Sequence, residues 1–357
     1  MKVLVTGGAG FIGSHVVDAL LAGGADVVVV DNLSPAAHAG PPAYLPVAVD
    51  LRIVDVTDEV AVAAAVADVD AVSHQAARVG LGVDFGDVTG YVTDNDLGTA
   101  VLLRALWRSR FAGRLVVASS MVVYGEGRYA CPVDGVVRPE PRTPPELDAG
   151  RFEPRCPACQ RPMASVTVDE DAPLDPRNVY AATKVHTEHL TALYGRDAGL
   201  PVALLRYHNV YGPRMPRDTP YAGVASIFRS ELEGGRAPAV TEDGAQRRDF
   251  VHVRDVARAN VLALTERRAE AGAFNIASGV PHTVLDLATT LASAMDPTGG
   301  LRPTITGRWR AGDVRHIVAS PERARARLGF EAEVDFAAGI TEFATAPLRA
   351  SAGTAGA

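Results

Sequence analysis

The chain is predicted to fold as an α/β protein, a doubly wound parallel sheet followed by a smaller C-terminal lobe. Two observations carry that expectation. Apolar runs of strand length alternate with helix-patterned stretches as far as Tyr207, and beyond Tyr207 the elements shorten and are broken by Gly and Pro. Lys2 to Thr6 (KVLVT) is an apolar strand that ends at Gly7, and Phe11, Ile12, Val16, Val17, Leu20 and Leu21 then recur at helical spacing. Val27 to Val30 gives a second strand ending at Asp31, Ala48 to Val54 a third and Ala71 to His74 a fourth. An Ala/Val-rich helix at Val60 to Ala67 lies between the last two. A helix containing Leu97 to Trp107 leads to a fifth strand, Leu115 to Ser119; a helix from Tyr180 to Tyr194 and a strand from Val202 to Arg206 complete the series. Strands that alternate with helices imply parallel pairing with helices on both faces.

Between Gly125 and Asp175 the texture turns to Pro, Arg, Gly and Cys without periodicity, which reads as an insert, 126–172, rather than core. The expected division is therefore residues 1–207 for the first domain, 208–348 for the lobe with 249–268 returning to the first domain, and 349–357 for a disordered tail. The amphipathic pattern of Leu285 to Met295 marks a helix within the lobe.

With 357 residues, 47% of them hydrophobic, the chain can fill a sizeable core. A formal net charge of −7 offers no general attraction to nucleic acid or anionic membrane, so an anionic ligand has to be met by placed arginines or helix N-termini. No stretch approaches the roughly 18 to 20 apolar residues of a membrane span. A cytoplasmic, unprocessed protein is expected.

The turn after the first strand has Gly8, Gly10 and Gly13 at G-x-G-x-x-G spacing, and Gly7, Gly10 and Gly13 at G-x-x-G-x-x-G spacing. Without side chains there, backbone approaches a pyrophosphate closely, and the free N–H groups of the helix N-terminus receive its charge. The second strand ends in Asp31, whose carboxylate suits the adenosine ribose hydroxyls and would repel a 2′-phosphate, so NAD is expected rather than NADP. Asp55 either receives the adenine amino group or simply opens the VTDE turn in solvent.

Tyr180 and Lys184 stand four apart in YAATK and share one helix face. A tyrosine of ordinary pKa, roughly 10, needs a shift of about three units, or about 4 kcal/mol, to serve as a base near neutrality. A nearby ammonium and a positive nicotinamide ring both favour phenolate. Ser119 and Ser120 end the fifth strand at the carboxyl edge, where open α/β sheets bind ligands; Ser120 is the catalytic choice and Ser119 the structural one. Ser120, Tyr180 and Lys184 thus form a proton-handling set beside a hydride acceptor.

Five stretches now stand in one order: TGGAGFIGSH, SSMVVYGEG, YAATK, RYHNVYGPR and RRDFVHVRDV. Over nearly its whole length the chain resembles the extended short-chain dehydrogenase/reductases that act on nucleotide sugars. Within that family it is most similar to UDP-glucose 4-epimerases and dTDP-L-rhamnose 4-epimerases, which share the long Cys-containing segment and a stretch like TPYAGV. The resemblance implies a Rossmann-type sheet with a substrate-binding C-terminal lobe, tightly bound NAD, a dTDP- or UDP-hexose substrate and a homodimer. It implies cofactor contacts from Gly7, Gly10, Phe11, Ile12, Gly13, Asp31, Asn32, Asp55, Val56, Ala76, Ala77, Asn95, Tyr180 and Lys184. Substrate contacts are implied for Val79, Ser120, Met121, Tyr180, His208, Asn209, Arg248, Arg310 and Asp313, with Val83 and Tyr221 shaping the pocket. Arg248 could also be a surface charge in the QRRD turn, and Arg310 and Asp313 admit the same bland reading.

The implied reaction is 4-epimerization: Tyr180 takes the 4-hydroxyl proton, hydride leaves C4, the 4-keto sugar rotates, and hydride returns to the other face. Nucleotide-sugar 4,6-dehydratases typically follow the catalytic Ser/Thr with an Asp-Glu pair, and decarboxylases of the family place a Glu there; Met121 and Val122 stand in its place. A dehydratase or decarboxylase is the alternative on this scaffold. A non-catalytic NAD-binding sensor is the alternative from another class, although such proteins tend to lose the tyrosine or lysine. His74 is expected to line the cofactor as a structural residue, and His186, His189 and His252 have no metal-ligand spacing.

Cys131, Cys156 and Cys159 are the three cysteines, all in the insert. CPAC is a C-x-x-C knuckle, and with Cys131 and Asp134 it makes a candidate structural zinc set; reduced thiols in a Pro-rich loop are the other reading.

Overall fold

The computed structural model describes residues 1–80, 85–217, 223–266, 271–310 and 312–349. Val83, Tyr221 and the tail from 350 lie outside the described residues. The predicted alternation is observed: β1 (Lys2–Thr6), α1 (Phe11–Ala22), β2 (Asp26–Asp31), β3 (Asp50–Ile53), α2 (Glu59–Ala65) and β4 (Ala71–His74) come first. A short α3 (Val88–Tyr91) runs through a π-helical stretch, Val92–Leu97, into α4 (Gly98–Arg108), and β5 (Arg114–Ser120) follows. The insert holds β6 (Arg128–Cys131), β7 (Gly135–Val137), α5 (Pro144–Asp148) and β8 (Ala164–Val166) before α6 (Val179–Ala198) and β9 (Val202–Tyr207) resume the main layer.

Beyond them lie β10 (Asn209–Tyr211), α7 (Val224–Glu233), β11 (Ala239–Val240), β12 (Arg247–His252), α8 (Val253–Thr265) and β13 (Gly272–Ile276). The chain continues through β14 (Pro281–Thr283), α9 (Val284–Met295), β15 (Thr304–Ile305), β16 (His316–Ile317), α10 (Glu322–Leu328) and α11 (Phe336–Thr345).

Seven parallel strands form the central sheet in the order β13-β9-β5-β4-β1-β2-β3. Alternate residues of each strand face opposite layers, which is why these strands are apolar without a break. Val3, Val5, Val27 and Val29 join the core on one face, with Val16 and Val17 of α1 and Val256 and Ala259 of α8. Leu4, Val28 and Val30 join the other, with Val62 of α2, Leu102 and Leu106 of α4 and Tyr194 of α6. A third core belongs to the lobe, where α7, α9 and α11 pack around Phe250 of β12. Among the described residues no helix is long and apolar enough to cross a membrane.

Three expectations need correction. Helix α8 does return to the first domain, packing on α1, β4 and β5, but β13 returns as well and supplies the seventh strand. GAFNI is too short, and too glycine-led, to announce a strand on its own. The insert is not structureless: β7-β6-β8 form an antiparallel sheet with a small core of Tyr129, Cys131, Cys156 and Met163. Its strands of three or four residues are below the length at which periodicity is visible. Arg349, assigned to the tail, is held by a bridge to Pro216, and its N–H donates to the Met215 carbonyl at 3.0 Å.

Candidate active site

The glycine turn sits between β1 and α1. Gly7 has φ +66°, and a Cβ on it would stand 2.6 Å from the Ala76 nitrogen; one on Gly13 would collide with the Gly7 carbonyl oxygen. Both positions therefore exclude side chains, for the left-handed backbone in the first case and for close helix–turn packing in the second. Gly10 caps α1 without a side-chain hydrogen bond, and no acidic residue occupies the first turn. The N-terminal amides beside Phe11 and Ile12 are thus left to an external anion.

Asp31, only 8% exposed, accepts from the Ala9 N–H at 3.0 Å and the Leu33 N–H at 2.9 Å, which aims its carboxylate at the turn. With about four lone-pair directions on the two oxygens, it retains capacity for ribose hydroxyls. Asn32 donates to Asp55 at 2.9 Å, and Thr57 donates to the same carboxylate through N–H and hydroxyl. Burial opposes the Asp55 charge, but these hydrogen bonds outweigh it and hold the carboxyl below its usual pKa. Val56 packs on Gly98 at the start of α4.

The chain joins this turn to helix α6. Thr6 pairs with His74 across β1 and β4, and their side chains hydrogen-bond at 2.7 Å. His74 also meets the Thr99 hydroxyl at 3.2 Å; burial pulls its pKa down to about 3, so it is a neutral structural residue. Past Ala76 and Ala77, the Arg78 N–H donates to Asn95 at 2.7 Å, and Asn95 in turn donates to the Arg78 carbonyl at 3.0 Å and to Thr183 at 2.9 Å. Asn95 lies in the π-helical stretch, a local irregularity of the kind found at functional sites.

Helix α6 starts where the Asn178 side chain accepts from the Ala181 N–H and ends at Gly199 in the left-handed region. Tyr180 is partly exposed at its first turn; Lys184 is 4% exposed one turn on, its ammonium 5.9 Å from the Tyr180 ring centroid and donating to the Ala118 carbonyl at 2.9 Å. Ser120 ends β5, and its side chain lies near enough to the Tyr180 phenol to favour the phenolate. Burial pushes the Tyr180 phenol up to about 12 against the influence of Ser120, and burial pulls the Lys184 ammonium down to about 8 despite Glu188 and Asp96. The structure brings the three residues together at the carboxyl end of β5.

On the other side of Ser120, register places it opposite Tyr207 of β9, so His208 and Asn209 emerge beside it. Burial holds His208 neutral, its pKa drawn down to about 3, and the Asn209 side-chain oxygen is buried with no partner among the described residues. Met121 follows Ser120 into a 3-10 turn and packs near Val123 and Tyr124, while Val79 is largely exposed. Arg248 is no free surface charge: its guanidinium donates to the carbonyls of Arg247, Val314 and Arg315. Two of its five donors stay available. Asp313 lies within electrostatic reach of Arg248 and is bonded to the exposed Arg310 at 3.1 Å. Cys131, Asp134, Cys156 and Cys159 gather in the insert.

Several supporting residues carried no sequence signal. Glu188 accepts from Ser119 at 2.5 Å and from Arg206 through both oxygens at 2.8 and 2.7 Å, all buried, which ties α6 to β5 and β9. Tyr44 donates to the Ala9 carbonyl in the glycine turn at 2.5 Å, and Arg349 reaches the same carbonyl at 3.3 Å. Glu188, Tyr44 and Arg349 belong to no local motif; only Glu188 has a positional signal, at i+4 from Lys184 on the same face.

Comparison with known proteins agrees with this geometry. The chain matches the NAD dependent epimerase/dehydratase family over residues 3–145 and 157–277, the break falling in the insert. It is 33% identical to a dTDP-L-rhamnose 4-epimerase of Burkholderia thailandensis, over 96% of this chain and 94% of that one. Among solved structures it is similar to UDP-glucose 4-epimerase of Thermotoga maritima with UDP-glucose (TM-score 0.79, 29% identity, 96% and 97% of the two chains). It is likewise similar to the UDP-glucose 4-epimerase of Thermus thermophilus in complex with NAD (TM-score 0.76, 32% identity, 96% and 98%). With a glycine cradle, a carboxylate at the second strand end and a Ser-Tyr-Lys set on one sheet edge, the chain belongs to the NAD dependent epimerase/dehydratase family.

Proposed function

We propose that this protein is an NAD-dependent 4-epimerase of dTDP- or UDP-hexoses. The observation that carries the reading is the convergence of Ser120, Tyr180 and Lys184 at the carboxyl edge, joined to the glycine turn through Ala76, Arg78 and Asn95. The glycine turn at Gly7, Gly10 and Gly13 and the Asp31 carboxylate would hold NAD, which would supply the hydride chemistry at the sugar C4. Tyr180 takes the 4-hydroxyl proton and gives it back, Ser120 holds the reacting oxygen by hydrogen bonding, and the Lys184 ammonium favours the phenolate. Burial raises the phenol in the protein alone, so added positive charge and substrate hydrogen bonds have to favour the phenolate for Tyr180 to act near neutrality. Asp31, Asn32, Asp55 and Val56 would border the adenosine, and Asn209 and Arg248 the sugar diphosphate, with Arg310 and Asp313 nearer the nucleoside.

Epimerization rather than dehydration is favoured by the apolar Met121–Val122 pair after Ser120, which offers no acid for eliminating a sugar hydroxyl. A homodimer built on α4 and α6 fits the exposed Leu97, Trp107 and Leu193 at those helices. A cytoplasmic setting fits three unpaired cysteines. The reading is tested by incubating the purified protein with a panel of dTDP- and UDP-sugars and analysing the products by chromatography and mass spectrometry. A new nucleotide sugar of unchanged mass is expected. Loss of water or of carbon dioxide would replace the reading with dehydration or decarboxylation, and bound NAD without turnover of any sugar would favour a sensor.

A further inference from the structure

The insert holds a chemistry that the reaction does not use. Cys131 closes β6, Asp134 lies in the turn to β7, and Cys156 and Cys159 sit in a second turn. That second turn is closed by Gln160 N–H to the Cys156 carbonyl at 2.9 Å, with Gln160 itself in the left-handed region. Three sulfurs and one carboxylate oxygen from these two turns all lie within 4.8 Å of one another. The individual approaches are Cys131 Sγ to Cys159 Sγ 3.4 Å, Cys131 Sγ to Asp134 Oδ2 3.2 Å and Cys156 Sγ to Asp134 Oδ2 3.1 Å.

A tetrahedral zinc with sulfur at about 2.3 Å has ligand–ligand edges of about 3.8 Å, so the four atoms already stand near the corners that such an ion requires. A disulfide explains less. It would use two of the three sulfurs and leave the third, on the fully buried Cys156, facing a carboxylate. The Val133 N–H points at Cys131 Sγ at 3.4 Å and Arg161 acts on Asp134 electrostatically, both of which suit anionic ligands around a cation. We propose that Cys131, Asp134, Cys156 and Cys159 bind one zinc ion in a closed, structural site.

Four protein ligands leave no open position for catalysis, so the ion acts by holding two pieces of chain together. One piece carries Tyr129, whose hydroxyl accepts from the His316 N–H at 3.1 Å. The other carries Glu153, which accepts from Arg315 Nε at 2.9 Å and meets His316 Nε2 at 2.9 Å. Both pieces therefore grip the strand entry at 315–316, whose backbone in turn holds Arg248. The zinc would brace the lobe from outside the reaction centre.

The test is the metal content of the full chain purified under reducing conditions, followed by chelation and titration with Co(II). About one zinc per chain is expected, together with thiolate-to-cobalt absorption on titration and a melting temperature lowered by chelator. Cys156→Ser and Cys159→Ser should each bring the stoichiometry towards zero. Should either variant fold poorly, Asp134→His provides a ligand-exchange control, an imidazole nitrogen in place of a carboxylate, that should keep its metal at higher chelator concentration than the wild type. A folded, reduced wild-type chain that takes up neither zinc nor cobalt would overturn the proposal. So would equal uptake by the cysteine variants, a Cys131–Cys159 disulfide in the protein as purified, or an Asp134→His variant whose metal retention is unchanged, since exchanging one of four ligands must alter the affinity.

Discussion

Around the glycine turn, the groups offered to a dinucleotide are backbone amides, the space left by missing side chains, and one carboxylate at a strand end. Around Arg248 they are guanidinium and amide side chains, held by carbonyls and carboxylates from segments distant in sequence. The first region is built by local geometry, in which a turn and its helix follow from spacing alone. The second is built by a buried network. Arg315 is 1% exposed and bonds Glu153, Glu242 and Asp243, while Arg142 of the insert bonds Glu242 at 2.8 Å and the Asp313 carbonyl at 2.5 Å. Trp309 adds a bond to Asp148 of α5 at 2.9 Å. The lesson is that damage should stay confined in the first region and spread in the second.

Removing the Tyr180 hydroxyl gives the largest contrast. Tyr180→Phe should lower kcat by about a thousandfold, as expected for a lost general base, with melting temperature and NAD content unchanged. A large loss of stability would show that the catalytic edge is no more local than the network. Arg315→Ala, by contrast, touches no reacting atom yet should cost about 2–3 kcal/mol in urea unfolding, because the buried Glu242 is left with Arg142 alone and Glu153 and Asp243 lose their shared guanidinium. Its KM for the nucleotide sugar should rise as the 314–315 backbone whose carbonyls hold Arg248 loosens, while NAD content holds. If stability fell by less than about 1 kcal/mol, the network would be a set of surface pairs in effect.

The same contrast sets what could be read from the chain. Six strands, their helices and the Ser120, Tyr180 and Lys184 set were legible because each is specified by residues within one turn or one strand of each other. Strand β13, the insert sheet and the Glu188–Arg206 pair were not, since each becomes a feature only when distant segments meet. Arg248 shows the boundary: its motif pointed to an anion, but its anchoring by Val314 and Arg315 exists only in three dimensions.

Lys184 sharpens the comparison from inside the local region. Its folded pKa of about 8 lies below the ordinary lysine value of 10.5, because burial disfavours the ammonium. Between these values the unfolded chain keeps a proton that the folded chain has released, so folding gains as pH rises through that window. Relative to Lys184→Met, the wild type should therefore gain up to about 3 kcal/mol between pH of about 8 and roughly 10.4, read from paired urea melts at each pH. A difference that stays flat would mean that the ammonium is not desolvated and that the catalytic edge is open to water.

Arg349 connects the two regions, and its predicted effect is the smallest. It follows α11 of the lobe, pairs with Pro216, and extends its guanidinium to the glycine turn, 3.3 Å from the Ala9 carbonyl and 3.8 Å from where a Cβ on Gly10 would stand. Its Nε is buried with no partner among the described residues. A guanidinium with a spare donor beside the N-terminus of α1 suits a pyrophosphate oxygen, and one charge-assisted hydrogen bond is worth about 1.5 kcal/mol. Arg349→Ala should thus weaken NAD binding to the apoprotein by about tenfold in calorimetric titration, with Arg349→Lys recovering part of the loss through charge alone. Unchanged affinity in both variants would make Arg349 a clasp on the Ala9 carbonyl and would leave the cofactor region wholly local.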